Sequence, residues 1–150
     1  MEKLNLPEVN FNTQTNSKGK TEVFDIIRRK YISFTPEEYV RQSFIHFLVD
    51  HKNFPPSLMA VEKALKVNNM TKRTDIVQYN KIGKAIIIIE CKAPHIKIDE
   101  NTFSQAAMYN MKMKVDYLIM TNGINHYCGK INYEKNSIVY LKDIPDFNSL

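Results

Sequence analysis

The sequence predicts a mixed α/β domain: an N-terminal β-hairpin, a core of helix, three strands, helix and strand, and a C-terminal hairpin. Three observations carry that prediction. Thr35-Pro36-Glu37-Glu38 has the chemistry of a helix start, and Ile86-Ile87-Ile88-Ile89 has that of a buried central strand. Elsewhere, turn-forming clusters alternate with short β-prone runs. A chain of 150 residues is long enough to bury one core, so a single domain over residues 1–150 is expected, with its core at about 31–130.

Taken in order, Phe11–Thr15 and Thr21–Asp25 flank Asn16-Ser17-Lys18-Gly19-Lys20, whose composition favours a turn, and form the first hairpin. Thr35 stands where a helix cap belongs, with Pro36 at the first helical position and Glu38 three residues after the cap. Tyr39, Val40, Ser43, Phe44, Phe47 and Leu48 keep the spacing of one buried helical face up to about His51, and Phe54-Pro55-Pro56 breaks the helix. A strand is expected at about residues 58–67, with Val61, Leu65 and Val67 on one face and Glu62, Ala64 and Lys66 on the other. Ile76–Tyr79 forms the next strand, Asn80–Lys84 the turn, and the isoleucine run the third strand. Four successive β-branched residues suit a strand covered on both faces. After Pro94 a helix is expected from about Asn101 to Lys114, then a strand over Asp116–Met120. Ile124–Lys130 and Ser137–Lys142 pair around Asn132–Asn136 as the closing hairpin.

Composition narrows the function. A formal charge of +5 and a pI near 9.1 favour polyanionic partners without naming one. Cys91 and Cys128 lack metal-ligand spacing and read as reduced thiols. With no charged-then-apolar leader and no apolar stretch approaching a bilayer span, a cytoplasmic protein without membrane contact is expected. The glycines, Gly19, Gly83, Gly123 and Gly129, are too scattered for a phosphate loop, which excludes an ATPase motor in these residues and argues against a small-molecule nucleotide cofactor. His46, His51, His95 and His126 show no zinc spacing.

The chemistry concentrates between residues 73 and 92. Asp75 opens one strand and Glu90-Cys91-Lys92 ends the next, so the hairpin between them brings the two acids close. Phosphodiester hydrolysis needs a cation that stabilises charge on phosphate oxygens and acidifies a bound water, and magnesium prefers carboxylate ligands. A lysine beside them can orient or deprotonate the water, or support the negative charge of the transition state. Alternation along a strand puts Glu90 and Lys92 on one side and Cys91 on the other, where its thiol acts as a small apolar group.

Asp75, Glu90-Cys91-Lys92 and the following Gln105-x-x-x-Tyr109 resemble the PD-(D/E)xK nuclease superfamily. More narrowly, the chain resembles the N-terminal nuclease domain of type I restriction enzyme R subunits. Phe34–Gln42, Val61-Glu62-Lys63, Glu90–Pro94 and Leu118–Gly123 fit that group, and the resemblance spans about residues 24–130. Thr74 stands where the superfamily has its proline. The resemblance implies a restriction-endonuclease-like fold and a DNA endonuclease using Mg2+, with Mn2+ as a substitute. It implies Asp75, Glu90 and the backbone carbonyl of Cys91 as metal ligands, Lys92 as the assisting amine, and Gln105 and Tyr109 as supports of the phosphate or catalytic groups. Its partners would be DNA, other restriction-modification subunits and a helicase motor outside these residues.

Two acids keep two readings each. Glu62 either joins the site as a catalytic group or pairs with Lys66 on the surface; Glu38 is either the capping-box acid, the favoured reading, or a helix acid of the metal site. Arg28, Arg29, Lys30, Arg41, Lys72, Arg73 and Lys97 supply charge that can track a phosphate backbone. The competing function is a catalytically inactive module that keeps the fold and binds nucleic acid or assembles with partners.

Overall fold

In the computed structural model, which describes residues 1–150, the chain opens with β1 (Thr13–Thr15), β2 (Thr21–Asp25) and β3 (Lys30–Ser33), followed by helix α1 (Pro36–His51). Then come β4 (Met59–Val61), β5 (Ala64–Val67), β6 (Met70–Arg73), β7 (Ile76–Tyr79) and β8 (Ala85–Cys91). Helix α2 (Glu100–Asn110) leads to β9 (Tyr117–Thr121), β10 (His126–Asn132) and β11 (Ser137–Leu141). The main sheet has six strands in the order β11-β10-β9-β8-β7-β4. Its one parallel pair is β8 with β9. Parallel neighbours need a crossover, and α2 supplies it.

The isoleucine run is the spine of β8. Ile87, Ile89 and Cys91 pack with Val40, Phe44, Ile45 and Leu48 of α1, whereas Ile88 packs with Phe103 and Ala107 of α2. From Ile87 to Cys91 a period of two thus feeds two cores from one strand, each fully buried isoleucine contributing about 1.5–3 kcal/mol relative to exposure. Gly129 of β10 makes room for α2. A Cβ there would meet Ile138 Cδ1 and lie 3.2 Å from Phe103 Cε2.

Helix α1 starts as its sequence dictates: Thr35 Oγ1 accepts from the Glu38 amide at 3.1 Å, with Pro36 in the first turn. The favoured reading of Glu38 is corrected. Its carboxylate does not complete the capping box; it accepts from Arg28 at 3.0 Å, Arg41 at 2.8 Å and Gln42 at 3.0 Å.

Three further expectations change. The N-terminal hairpin is a three-stranded meander, β3 returning after a turn in which Asp25 Oδ1 accepts from the amides of Ile27 and Arg28 at 2.7 and 3.1 Å. The strand expected at residues 58–67 is two strands, because Glu62 adopts φ +53° and breaks the ladder. β4 joins the main sheet beside β7, while β5 and the unforeseen β6 form a separate two-stranded arm. Thr74, at the position of the expected proline, ties the arm's base: its hydroxyl donates to the Lys63 carbonyl at 2.7 Å and its amide to the same oxygen at 2.8 Å. Helix α2 gives way to a 3-10 turn, Met111–Met113, that Lys114 ends at φ +59°.

Candidate functional site

The β7–β8 hairpin closes through Asn80, whose Oδ1 accepts from the amides of Ile82 and Lys84 at 3.1 and 2.9 Å. Its register places Ile76 opposite Ile89, so Asp75 and Glu90 are the next residues on facing chains. Asp75 Oδ2 accepts from the Cys91 amide at 2.8 Å, and Asp75 Oδ1 accepts from Arg41 Nη2 at 3.3 Å. Glu90 turns toward α2, where its Oε1 accepts from Lys72 Nζ at 2.5 Å and Asn110 Nδ2 at 3.3 Å. Each acid therefore has a cation of its own.

Arg41 organises the first group. Almost wholly buried, it reaches Glu38, Glu62 and Asp75 at 2.8, 3.4 and 3.3 Å. Arg28 lies alongside, binding Asp25 at 2.5 Å, Glu38 at 3.0 Å and Glu62 at 3.4 Å. Burial disfavours the charge on Arg41, yet the carboxylates of Glu38, Asp75 and Glu62 outweigh it and raise its pKa further. Burial likewise opposes ionisation of Glu62, and the guanidiniums of Arg41, Arg28 and Arg73 prevail, holding its carboxyl below the usual range. The surface pair of Glu62 with Lys66 is thus replaced by Arg28, Arg41 and Arg73, the last at 3.3 Å. Glu62 sits beside Asp75, its amide donating to the Asp75 carbonyl at 3.0 Å.

The second group lies on the α2 side. Lys72, on β6, stands 4.8 Å from the centroid of the Tyr109 ring while it holds Glu90. Asn110 Nδ2 also donates to the Ala106 carbonyl at 2.7 Å, which fixes the orientation of the amide and leaves its buried Oδ1 without a partner. Tyr109 and Gln105 are exposed on α2, and Gln105 makes no side-chain hydrogen bond. Lys92 is exposed and forms no ion pair; its backbone amide donates to the Thr121 carbonyl at 2.9 Å. Cys91 is buried against α1, and burial pushes its thiol well above the ordinary range, so it remains a neutral SH group.

The structure thus joins Asp75 to Glu62 through Arg41, and Glu90 to Tyr109 through Lys72, with the Glu90-Cys91 backbone between the groups. Arg28, Arg41, Lys72 and Arg73, expected to line a phosphate track, are spent on these acids. The pairs Arg28–Asp25 and Arg41–Glu38 are three residues apart and open to local reading, but the Arg41–Asp75 bond spans 34 residues and Lys72 lies on an unforeseen strand. No group of three or more His, Cys, Asp or Glu side chains is arranged to hold a metal ion.

Residues 36–145 match the family described as type I restriction enzyme R protein N terminus (HSDR_N). The chain belongs to that family. No curated protein and no solved structure gives a significant match. As a type I restriction R N-terminal domain, the chain has a nuclease-like role in restriction-modification, and its mixed α/β architecture is consistent with a restriction-endonuclease-like fold. The matched segment runs from the first residue of α1 to Pro145, so every candidate residue from Glu38 to Tyr109 lies inside it. The meander that contributes Asp25 and Arg28 precedes it. No helix is long and apolar enough to cross a membrane.

Proposed function

We propose that the chain is a divalent-cation-dependent DNA endonuclease domain that hydrolyses phosphodiester bonds. The observation that supports this most is the pairing of Asp75 and Glu90 across adjacent strand ends in a type I restriction R domain. Magnesium is commonly held by one or two carboxylates, with water and substrate phosphate completing its shell. Asp75, Glu90 and the backbone carbonyl of Cys91 fit such a set, being oxygen donors only.

Mg2+, or Mn2+ in its place, would supply stabilisation of the phosphate charge and a lowered water pKa. The remaining work falls to the chain. Arg41 and the Cys91 amide fix the Asp75 carboxylate from two sides. The exposed Lys92 ammonium is free to orient the attacking water or to offset negative charge at phosphorus. Gln105 and Tyr109, exposed on α2, offer an amide and a phenol to phosphate oxygens. The water oxygen bonds to phosphorus, the bond to the leaving sugar oxygen breaks, and that oxygen takes up a proton.

A titration of Mg2+ and Mn2+ against duplex, single-stranded and branched DNA and RNA tests the proposal. Cleavage that a chelator stops, and that Asp75→Ala, Glu90→Ala and Lys92→Ala each reduce by at least about a hundredfold, is expected. Equal cleavage by wild type and all three variants would remove it.

A second reading has its own support, the neutralisation of both acids by Arg41 and Lys72. An inactive nucleic-acid-binding or assembly module needs no metal to compensate them. It requires salt-sensitive binding and no metal-dependent cleavage on any of those substrates.

A further inference from the structure

At this sheet end Asp25, Glu38, Glu62, Asp75 and Glu90 are paired with Arg28, Arg41, Arg73 and Lys72. Five negative charges against four positive leave a residual of one, so a divalent cation would enter a cluster already close to neutral. Like charges crowded around one carboxylate repel, and one resident cation must give way.

The four differ in how easily they can. Arg28 and Arg41 each hold three carboxylates, and Arg41 is almost wholly buried. Arg73 is mostly exposed and touches only Glu62. Lys72 alone neutralises Glu90, through a single carboxylate oxygen, from a flexible stem. It stands on the β5–β6 arm, which shares no ladder with the main sheet. A second resting place is at hand, since the Tyr109 ring already lies 4.8 Å from its ammonium and aromatic faces attract cations.

We propose that Lys72 is a resident counter-ion of Glu90 which a divalent cation displaces onto Tyr109, so that the β5–β6 arm sets the metal affinity of the site. The proposal rests on Glu90 being a metal ligand. Displacement exchanges the ion pair of β6 with β8 for a weaker contact with Tyr109 of α2, so metal binding loosens residues 70–73 while Leu65 and Val67 stay packed on the α2 core. By linkage, whatever holds Lys72 on Glu90 weakens metal binding by the same factor.

Calorimetric titration of Mn2+ into the full chain decides the matter, with wild type, Lys72→Met, Lys72→Arg and Glu90→Gln compared at one ionic strength and circular dichroism checking each fold. Lys72→Met is expected to bind Mn2+ about tenfold more tightly than wild type, within the usual range of coupling between sites. Lys72→Arg should bind no more tightly than wild type, and Glu90→Gln should lose binding. Equal or weaker binding by Lys72→Met overturns the counter-ion role while leaving the metal site intact. No binding by wild type or Lys72→Met overturns both. Hydrogen exchange on wild type covers the case of a misfolded variant: amides of residues 70–73 should exchange faster with Mn2+ present, and unchanged or slower exchange overturns the proposal.

Discussion

Asp75 and Glu90 end neighbouring strands, but their surroundings are built differently. Asp75 is gripped by a buried guanidinium that also binds Glu38 and Glu62, and by the Cys91 backbone amide. Glu90 is met by one ammonium on a separate arm and one amide of α2. A planar guanidinium fixed by several carboxylates is an architectural part, whereas a lysine on a flexible stem is an exchangeable charge. One side of the sheet end is therefore rigid and the other adjustable, an arrangement suited to a site that must keep its geometry and still admit a cation.

Substitution of Arg41 should have the largest effect. Arg41→Ala takes from Asp75 its only cation and leaves the buried Glu38 with Arg28 as its one remaining cation, and a loss of about 3–5 kcal/mol in folding stability is expected from a urea titration. Lys72→Ala, by contrast, leaves a single largely buried acid, Glu90, without its cation and should cost a smaller amount, about 2 kcal/mol, in the same assay. Similar losses for the two variants would erase the distinction between a rigid and an adjustable side.

Acid sharpens the same comparison. Burial raises the pKa of the Asp25 carboxyl, and Arg28 with the Ile27 and Arg28 amides more than offsets this, so it stays below the usual carboxylate value. Glu62 is shifted the same way. A folded pKa below the unfolded one means that the folded state binds fewer protons. The stability it contributes is complete above the ordinary carboxylate range and disappears as pH falls through the lowered value. Folding stability measured from about pH 5 down to pH 2 should fall steeply, and Asp25→Asn should flatten part of the slope. At the other end of the scale, Thr35→Ala removes only the cap of α1 and should cost about 1 kcal/mol.

Much of this was legible in the residues. Thr35-Pro36 marked the start of α1, and the β-branched run Ile86–Ile89 marked the central strand. Asn80–Lys84 marked the turn that brings Asp75 opposite Glu90. Periodicity failed where backbone conformation departs from it without a glycine to signal the change. Val61, Leu65 and Val67 alternate as though on one strand, yet Glu62 turns to φ +53° between them and sends β5 into the arm. Losing β6 meant losing Lys72. The charge network was hidden for another reason: a first-turn acid such as Glu38 explains itself locally, and its bond to Arg28 exists only once the meander packs on α1.

The central claim is that Asp75 and Glu90 form a divalent-cation site for phosphodiester cleavage, and Glu90→Gln tests it most directly because the amide keeps the shape and removes the charge. Cleavage of plasmid DNA in Mg2+ by wild type and Glu90→Gln, with folding of both confirmed by thermal melting, is the measurement. The expected result is chelator-sensitive cleavage by wild type and none by a folded Glu90→Gln. Undiminished cleavage by the variant, or wild-type cleavage that persists in chelator, would contradict it.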